Sequence, residues 1–242
     1  MNVFYVPEPT LRNTLSEEES QHAVKVLRLK EGEEIVLIDG KGGYYKAKIT
    51  FPDAKHCEFE ILETISDFGK LNYYLHIAIA PTKNMERFEW FVEKAIEIGI
   101  SEITPIICQF SERKVIKMER LEKIMIAAAK QSIRAYFPKL NPSCRFDDFL
   151  KKYQDSQQFI AHCYSFIENS EQIQKLEKKK LKDVAQKSLR TIILIGPEGD
   201  FSKEEIKKAI AAGYIPISLG ENRLRTETAG IIACHTIALI NQ

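Results

Sequence analysis

The chain has no C-x-x-C pair, no apolar run approaching the length of a membrane span, and almost no net charge. Each absence removes a class of function. Five isolated cysteines (Cys57, Cys108, Cys144, Cys163 and Cys234) supply neither a disulfide framework nor a zinc knuckle, and point to reduced thiols in the cytoplasm. Without a long apolar run there is no spanning helix to place, and Met1-Asn2-Val3 opens no signal peptide. The five histidines (His22, His56, His76, His162 and His235) lack ligand spacing, so no metal is expected. A formal charge of +1 gives no global field for a polyanion. Residues 1–70 hold 9 basic against 13 acidic side chains and the remainder 26 against 21, so a nucleic-acid partner would need a local basic patch. Two nucleotide motifs are also missing: no Gly-Lys-Ser/Thr follows a glycine loop, and there is no G-x-G-x-x-G.

What is present reads as two domains, with a division at residue 70. The first 70 residues are mostly β. Residues 2–6, 34–38, 44–51 and 57–65 have strand patterning, and Asp39-Gly40-Lys41-Gly42-Gly43 makes a glycine-rich hairpin turn. Ser16-Glu17-Glu18-Glu19 has the spacing of a capping box and opens a helix through about Leu27. Short strands with one early helix suggest a small barrel. From residue 71 the period alternates between buried strands (73–80, 103–108, 159–163, 191–195 and 215–219) and helices (85–98, 121–136, from Ser202, and from about Glu227). That alternation predicts an α/β domain with a mostly parallel sheet covered on both faces. Lys175-Leu176-Glu177-Lys178-Lys179-Lys180-Leu181-Lys182 reads as the solvated face of a surface helix rather than a nucleic-acid patch.

Two glycine-bearing turns close the sequence: Ile195-Gly196-Pro197-Glu198-Gly199-Asp200 and Leu219-Gly220-Glu221-Asn222-Arg223-Leu224-Arg225-Thr226-Glu227-Thr228. Each joins a strand to a helix. Side by side, they would stand at the carboxyl edge of the sheet, where open α/β sheets bind ligands. Glycines there permit positive φ and close backbone approach, and Pro197 stiffens the first turn. Thr226 suits a helix N-cap and Glu227 the positive helix end. A cation at that end is mildly unfavourable, so Arg225 breaks a local rule beside a ligand edge, which suggests function.

The pairing of I-G-P-E-G with L-G-x-x-x-L-R-T-E-T-A closely resembles the bacterial family that methylates N3 of a uridine in small-subunit (16S) ribosomal RNA. That family belongs to the SPOUT superfamily of methyltransferases that use S-adenosylmethionine (SAM). The likeness also covers His22-Ala23-Val24-Lys25-Val26-Leu27-Arg28, the run from Phe88 to Pro105, Ser111-Glu112-Arg113 and Lys130-Gln131-Ser132. Departures fall at Asp200, where the family often has a second Gly, at Lys130, where it often has Glu, and at Ile133-Arg134, where it often has Gly-Arg.

The resemblance implies a PUA-like RNA-binding β-barrel over residues 1–70 and a trefoil-knotted SPOUT methyltransferase domain over 71–242, assembled as a homodimer. It implies SAM held by Ile195, Gly196, Glu198, Gly199, Leu219, Gly220, Leu224, Arg225, Thr226 and Thr228, with a third loop after the 159–163 strand. His162 falls near that loop, although a structural histidine is its plainer reading. A uridine imide is a weak acid, so its nitrogen needs the proton removed and the resulting anion stabilised. Glu227 or Glu198 is the candidate acceptor and Arg225 the stabilising cation; both carboxylates also suit backbone caps. RNA contact is expected at Arg12, Lys25, Arg28, Lys83, Arg87 and Arg113. Rival readings are a SPOUT ribose 2′-hydroxyl methyltransferase and a non-catalytic RNA-binding assembly factor.

Overall fold

The computed structural model describes residues 1–154, 157–164, 166–169, 172–175 and 178–242, the side chains of 166–169 and 172–175 excepted. Two compact units result. One comprises Met1–Lys70 with Met125–Phe137, the other Leu71–Ile124 with Pro138–Gln242.

In the first unit, β1 (Val3–Tyr5), β2 (Glu34–Ile38), β3 (Tyr44–Phe51) and β4 (Glu58–Ile65) form a sheet in that order. β1 runs parallel to β2, and the other pairs are antiparallel. Alternate residues point inward, so Phe4, Leu37, Ala47, Ile49 and Phe59 make the core. Asp39 builds the β2–β3 turn: its Oδ1 accepts the Lys41 and Gly43 N–H groups at 2.7 and 2.8 Å.

The early helix is shorter than its periodicity predicts. α1 (Glu17–Gln21) gives way to a wider π-type turn over His22–Val26. Ser16 Oγ accepts the Glu19 N–H at 3.2 Å, but the capping box is not completed. The Glu19 carboxylate instead pairs with Lys130 Nζ at 2.6 and 2.9 Å. Lys130, where the related family often has Glu, thus gains an oppositely charged partner within its own unit.

After residue 70 the chain forms, in order, β5 (Tyr74–Ile79), α2 (Met85–Ile98), β6 (Glu102–Ile107), α3 (Met118–Ser132), β7 (Lys139–Leu140), β8 (Cys144–Arg145), α4 (Phe146–Lys152) and β9 (Gln157–Ala161). Then follow β10 (Phe166–Asn169), β11 (Gln172–Lys175), β12 (Lys179–Lys180), α5 (Leu181–Val184), β13 (Arg190–Ile195), α6 (Lys203–Ala211), β14 (Ile215–Ser218) and α7 (Thr226–Ile240). From Met125 onward α3 belongs to the first unit, which a division at residue 70 takes no account of. The helix ends at Ser132 rather than Tyr136, because Ile133 takes a φ of 55°. The next residues leave the helix to bond the hairpin turn, with the Phe137 N–H on the Gly40 carbonyl at 3.0 Å.

The lysine-rich segment also departs from expectation. Gln172–Lys175 is a strand antiparallel to β10, and Lys179–Lys180 pairs along the edge of β14; Leu176 and Glu177 lie outside the described residues. Among the segment's described residues only those of α5 are helical, and α5 buries Leu181.

The main sheet has the order β12-β14-β9-β13-β5-β6-β7, with β8 also on β6, and its pairs are parallel. On one face, Ala78, Ile106, Ile160, Ile192 and Leu194 pack with Phe146 and Phe149 of α4 and Ile206 and Ala209 of α6. α2 and α7 pack together elsewhere in the unit, at an approach only glycine allows: a Cβ on Gly230 would stand 2.6 Å from the Phe91 ring and 3.0 Å from Ile79. Covered faces explain the near-continuous apolar strands. The two glycine turns follow β13 and β14, which are not neighbours: β9 lies between them.

At the amino end of β5 and β6, Glu102 is buried with Oε2 bonded to the Tyr74 hydroxyl and Oε1 to Asn141 Nδ2 and Lys139 Nζ. Burial alone would raise its pKa, but the bonds from Tyr74 and Asn141, with the nearby His76 charge, hold the carboxyl below the usual range. A carboxyl depressed by folding stabilises above its unfolded value, near pH 4.3, and loses that contribution as pH falls through the folded value. Glu102→Gln should therefore cost about 1–3 kcal/mol at pH 7. The deficit should shrink as pH is lowered toward 3, read by urea unfolding across that range.

Candidate functional site

Parallel strands deliver their carboxyl ends to one edge, and β9, β13 and β14 end there at Ala161, Ile195 and Ser218. A cavity of about 620 Å³ opens on that edge. Its wall has three parts: Ala161-His162-Cys163 with Lys178; Ile195 to Glu198 with Asp200; and Ile217 to Thr226 with Ala229. Because β9 sits centrally, the loop after it stands between the two glycine turns.

The first turn works differently from its glycine pattern. Neither Gly196 nor Gly199 has a left-handed φ. They are required by close approach: a Cβ on Gly196 would meet Phe201 at 3.1 Å, and one on Gly199 would meet Phe110 Cβ at 2.9 Å. The left-handed residue is Asp200, at φ 66°. A carboxylate tolerates that conformation by bonding nearby backbone. Here Oδ1 accepts the Phe201 N–H at 2.8 Å, and Oδ2 accepts the Cys163 N–H of the neighbouring loop at 2.7 Å. Asp200 therefore does more than open α6, whose capping box is made by Ser202 and Glu205 as expected.

The second turn is tied to the first. Arg225, not Thr226, occupies the N-cap of α7, and its side chain makes no cap bond. Thr226 is the first helical residue; its hydroxyl donates to the Gly196 carbonyl at 3.0 Å. Arg223 adds a longer bond from Nη2 to the Glu198 carbonyl at 3.4 Å. The Glu198 carboxylate accepts the Lys83 N–H at 2.9 Å, anchoring the turn to the segment before α2.

Of the residues expected to hold cofactor, Ile195, Gly196, Glu198, Leu219, Gly220, Leu224, Arg225 and Thr226 form the wall. Gly199 lies beside Phe110 instead, and Thr228 lies outside. Glu227 is also outside the wall, buried, with Oε2 lacking a hydrogen-bond partner among the described residues. Helical spacing explains this, since residues three apart share a face: a wall made by Thr226 and Ala229 leaves out the two between them. His162, Cys163, Lys178 and Asp200 also line the cavity, without belonging to the residues expected to hold cofactor. The usable signal for the first two was their place just after a buried strand.

The expected RNA residues divide between the units. Arg12, Lys25 and Arg28 are exposed in the first, Arg28 with a left-handed φ of 57° at the end of the π-type turn. In the second, Lys83 Nζ pairs with Glu112 at 2.8 Å and Arg113 Nη2 bonds the Lys83 carbonyl at 3.2 Å, while Arg87 is half-buried. Among the described residues no cluster of three His, Cys, Asp or Glu could hold a metal ion, and no helix is long and apolar enough to cross a membrane.

A model described as an RNA methyltransferase domain matches residues 70–238. The chain belongs to that RNA methyltransferase family. A second model, an RNA methyltransferase PUA domain, matches residues 15–62 of this family member. It is 31% identical over 215 residues to the Ribosomal RNA small subunit methyltransferase E of Mesomycoplasma hyopneumoniae, covering 86% of each chain. Its structure resembles that of a probable rRNA-methyltransferase from Porphyromonas gingivalis, with TM-score 0.89 and 37% identity over 100% of this chain and 98% of the other. It also resembles a Ribosomal RNA small subunit methyltransferase E from Neisseria gonorrhoeae bound to S-adenosyl methionine, with TM-score 0.83 and 27% identity over 100% and 98%. The expected fold, a mostly parallel SPOUT-type α/β domain preceded by a PUA-like one, is the fold of this RNA methyltransferase family member.

The bond between Thr226 and Gly196 gives a direct test. Thr226→Val keeps the shape but strands a buried carbonyl, so unfolding free energy should fall by about 1–3 kcal/mol. Thr226→Ser should retain most of it, as measured by chemical denaturation.

Proposed function

We propose that the chain transfers a methyl group from SAM to N3 of a uridine in small-subunit ribosomal RNA, with the cavity at the ends of β9, β13 and β14 as the cofactor site. The observation that carries this reading is that both glycine turns, linked by Thr226 and Gly196, form one wall. A cavity of about 620 Å³ is of the size that takes a small-molecule cofactor. Its exposed backbone turns and the ring nitrogens of buried His162 offer hydrogen bonds suited to a polar, largely buried ligand.

SAM supplies the electrophilic methyl on its sulfonium. The chain's part is to hold the uridine in line and manage one proton. Arg225 is exposed at the cavity with no cap bond of its own, so its guanidinium is available to the carbonyl oxygens flanking N3, where negative charge gathers as the imide proton leaves. Two carboxylates stand near. Glu198 is exposed in the wall, with Oε1 already bonded to Lys83; Glu227 is buried one residue from Thr226, with Oε2 unpartnered among the described residues. Glu227 remains our assignment for the proton acceptor, and its distance from the wall makes Glu198 the alternative.

The same reading takes in the remaining implications of the family. The PUA-like unit, with Arg12, Lys25 and Arg28, binds RNA; in the second unit Lys83, Arg87 and Arg113 also contact RNA, and the domain division lies near residue 70. The last segment threads a trefoil knot, and the chain works in the cytoplasm as a homodimer. Support for a second copy comes from α7, which exposes the apolar side chains of Ile232 and Leu239, seven residues apart on one helix.

The test is to incubate the protein with labelled SAM and undermethylated small ribosomal subunits, then separate the nucleosides. Label is expected in 3-methyluridine; label in a 2′-O-methyl nucleoside, or SAM binding without transfer, would overturn the reading. Arg225→Ala should lower turnover by about 100-fold or more, while stability stays within about 0.5 kcal/mol, as for an exposed side chain. Equal losses in both would make Arg225 structural.

A further inference from the structure

Phe110 stands at the tip of the turn after β6 and is 44% exposed. Such tips favour small and polar residues, and an aromatic side chain there gains little burial. Polar bonds shape the turn and make it rigid. Ser111 is buried; its N–H donates to the Cys108 carbonyl at 3.1 Å, and its Oγ accepts the Cys108 N–H at 2.9 Å. The Gln109 N–H donates to Glu205 Oε1 at 2.8 Å, tying the turn to the start of α6. None of these bonds needs the Phe110 ring. The first glycine turn nevertheless makes room for it, since a Cβ on Gly199 would stand 2.9 Å from Phe110 Cβ.

The neighbouring charges suit a polyanion. Further along the same loop Arg113 and Lys114 are exposed. Arg113 gives one bond, from Nη2 to the Lys83 carbonyl at 3.2 Å. A guanidinium carries several N–H donors, so others remain for a phosphate. Lys83 is exposed as well, with Nζ on Glu112 at 2.8 Å and its N–H on Glu198 Oε1 at 2.9 Å, which brings this group to the glycine turn. An exposed aromatic face beside cations is a surface that takes an unpaired base and its phosphates. Position decides which base. Glu198 and Asp200 line the cavity, whereas Gly199 between them lies outside its wall, against Phe110. Phe110 therefore stands behind the first turn, outside the space where a target base would meet the methyl group.

We propose that Phe110 is a stacking platform for an unpaired base beside the target nucleotide of the RNA, and that Arg113 and Lys114 hold the adjoining phosphates. This rests on the cavity being the place of methyl transfer. Stacking tolerates any base, so the contact positions the strand rather than reading its sequence.

Affinity for undermethylated small ribosomal subunits, measured with S-adenosylhomocysteine present, tests it, because binding is read apart from transfer. Transfer to a different nucleoside would overturn the functional reading without touching this measurement; no binding by the wild-type protein would overturn both. Phe110→Ala and Phe110→Leu should each weaken binding about 5- to 100-fold, while Phe110→Tyr should stay within about 2-fold. Equal affinities for the Leu and Tyr variants would overturn the stacking role, and that pair decides alone should Phe110→Ala fail to fold. Because no phosphate contact is lost, the salt dependence of binding should be unchanged in Phe110→Ala and weaker in Arg113→Ala. A weaker dependence in Phe110→Ala would overturn the stacking role, and an unchanged one in Arg113→Ala the phosphate contact. Calorimetry with S-adenosylhomocysteine separates a structural role: an equal loss of cofactor and subunit affinity in Phe110→Ala would make Phe110 a buttress of the glycine turn and sink the proposal. So would a change in oligomeric state on sedimentation, which would mean that a second copy covers the ring.

Discussion

A strand inside a parallel sheet gives up both of its edges, and β9 gives its edges to β13 and β14. The cavity depends on that choice. Strands about 4.8 Å apart put the ends of β13 and β14 nearly a nanometre from each other, with the loop after β9 between them. Hydrogen bonds tie the surrounding segments to that loop and to each other. Asp200 crosses to Cys163, Lys178 to His162, and Thr226 to Gly196. Three segments distant in sequence thereby behave as one wall, set before any ligand arrives.

Such preorganisation has a local cost, and the chain accepts it where the wall needs it. Asp200 sits in the left-handed region, Gly196 and Gly199 give up side chains to let Phe201 and Phe110 approach, and His162 keeps two ring nitrogens out of water. At the amino end of β5 and β6, by comparison, Glu102 has Tyr74, Asn141 and Lys139, and within the first unit Glu19 has Lys130.

Much of the architecture was legible because burial on both faces writes an unmistakable pattern: the strands from β5 to β14 that carry continuous Ile, Leu and Ala runs were placed to within a residue or two. Patterns weakened wherever the partner was distant in sequence. Ile133 looks helical, and only the pull of the hairpin turn on Phe137 ends α3 early. The lysine-rich segment has recurring leucines flanked by acidic residues, which read as a surface helix, yet the edge of β14 takes Lys179 and Lys180 as a strand. At the site, the glycine turns announced themselves, but the order of β9 between them did not, because strand order is not a property of any local window. For the same reason the sequence alone does not place His162 in the cavity wall.

The order of the strands also fixes when the site can exist. β9 emerges from synthesis well before β14 and α7, and Gly196 waits thirty residues for the Thr226 hydroxyl. A growing chain folds from its N-terminus, so the PUA-like unit's strands are complete while the wall still lacks one of its three sides. A chain interrupted before Arg225 lacks both that residue and the hydroxyl that ties the two turns together, so the wall closes only after Thr226 has been made.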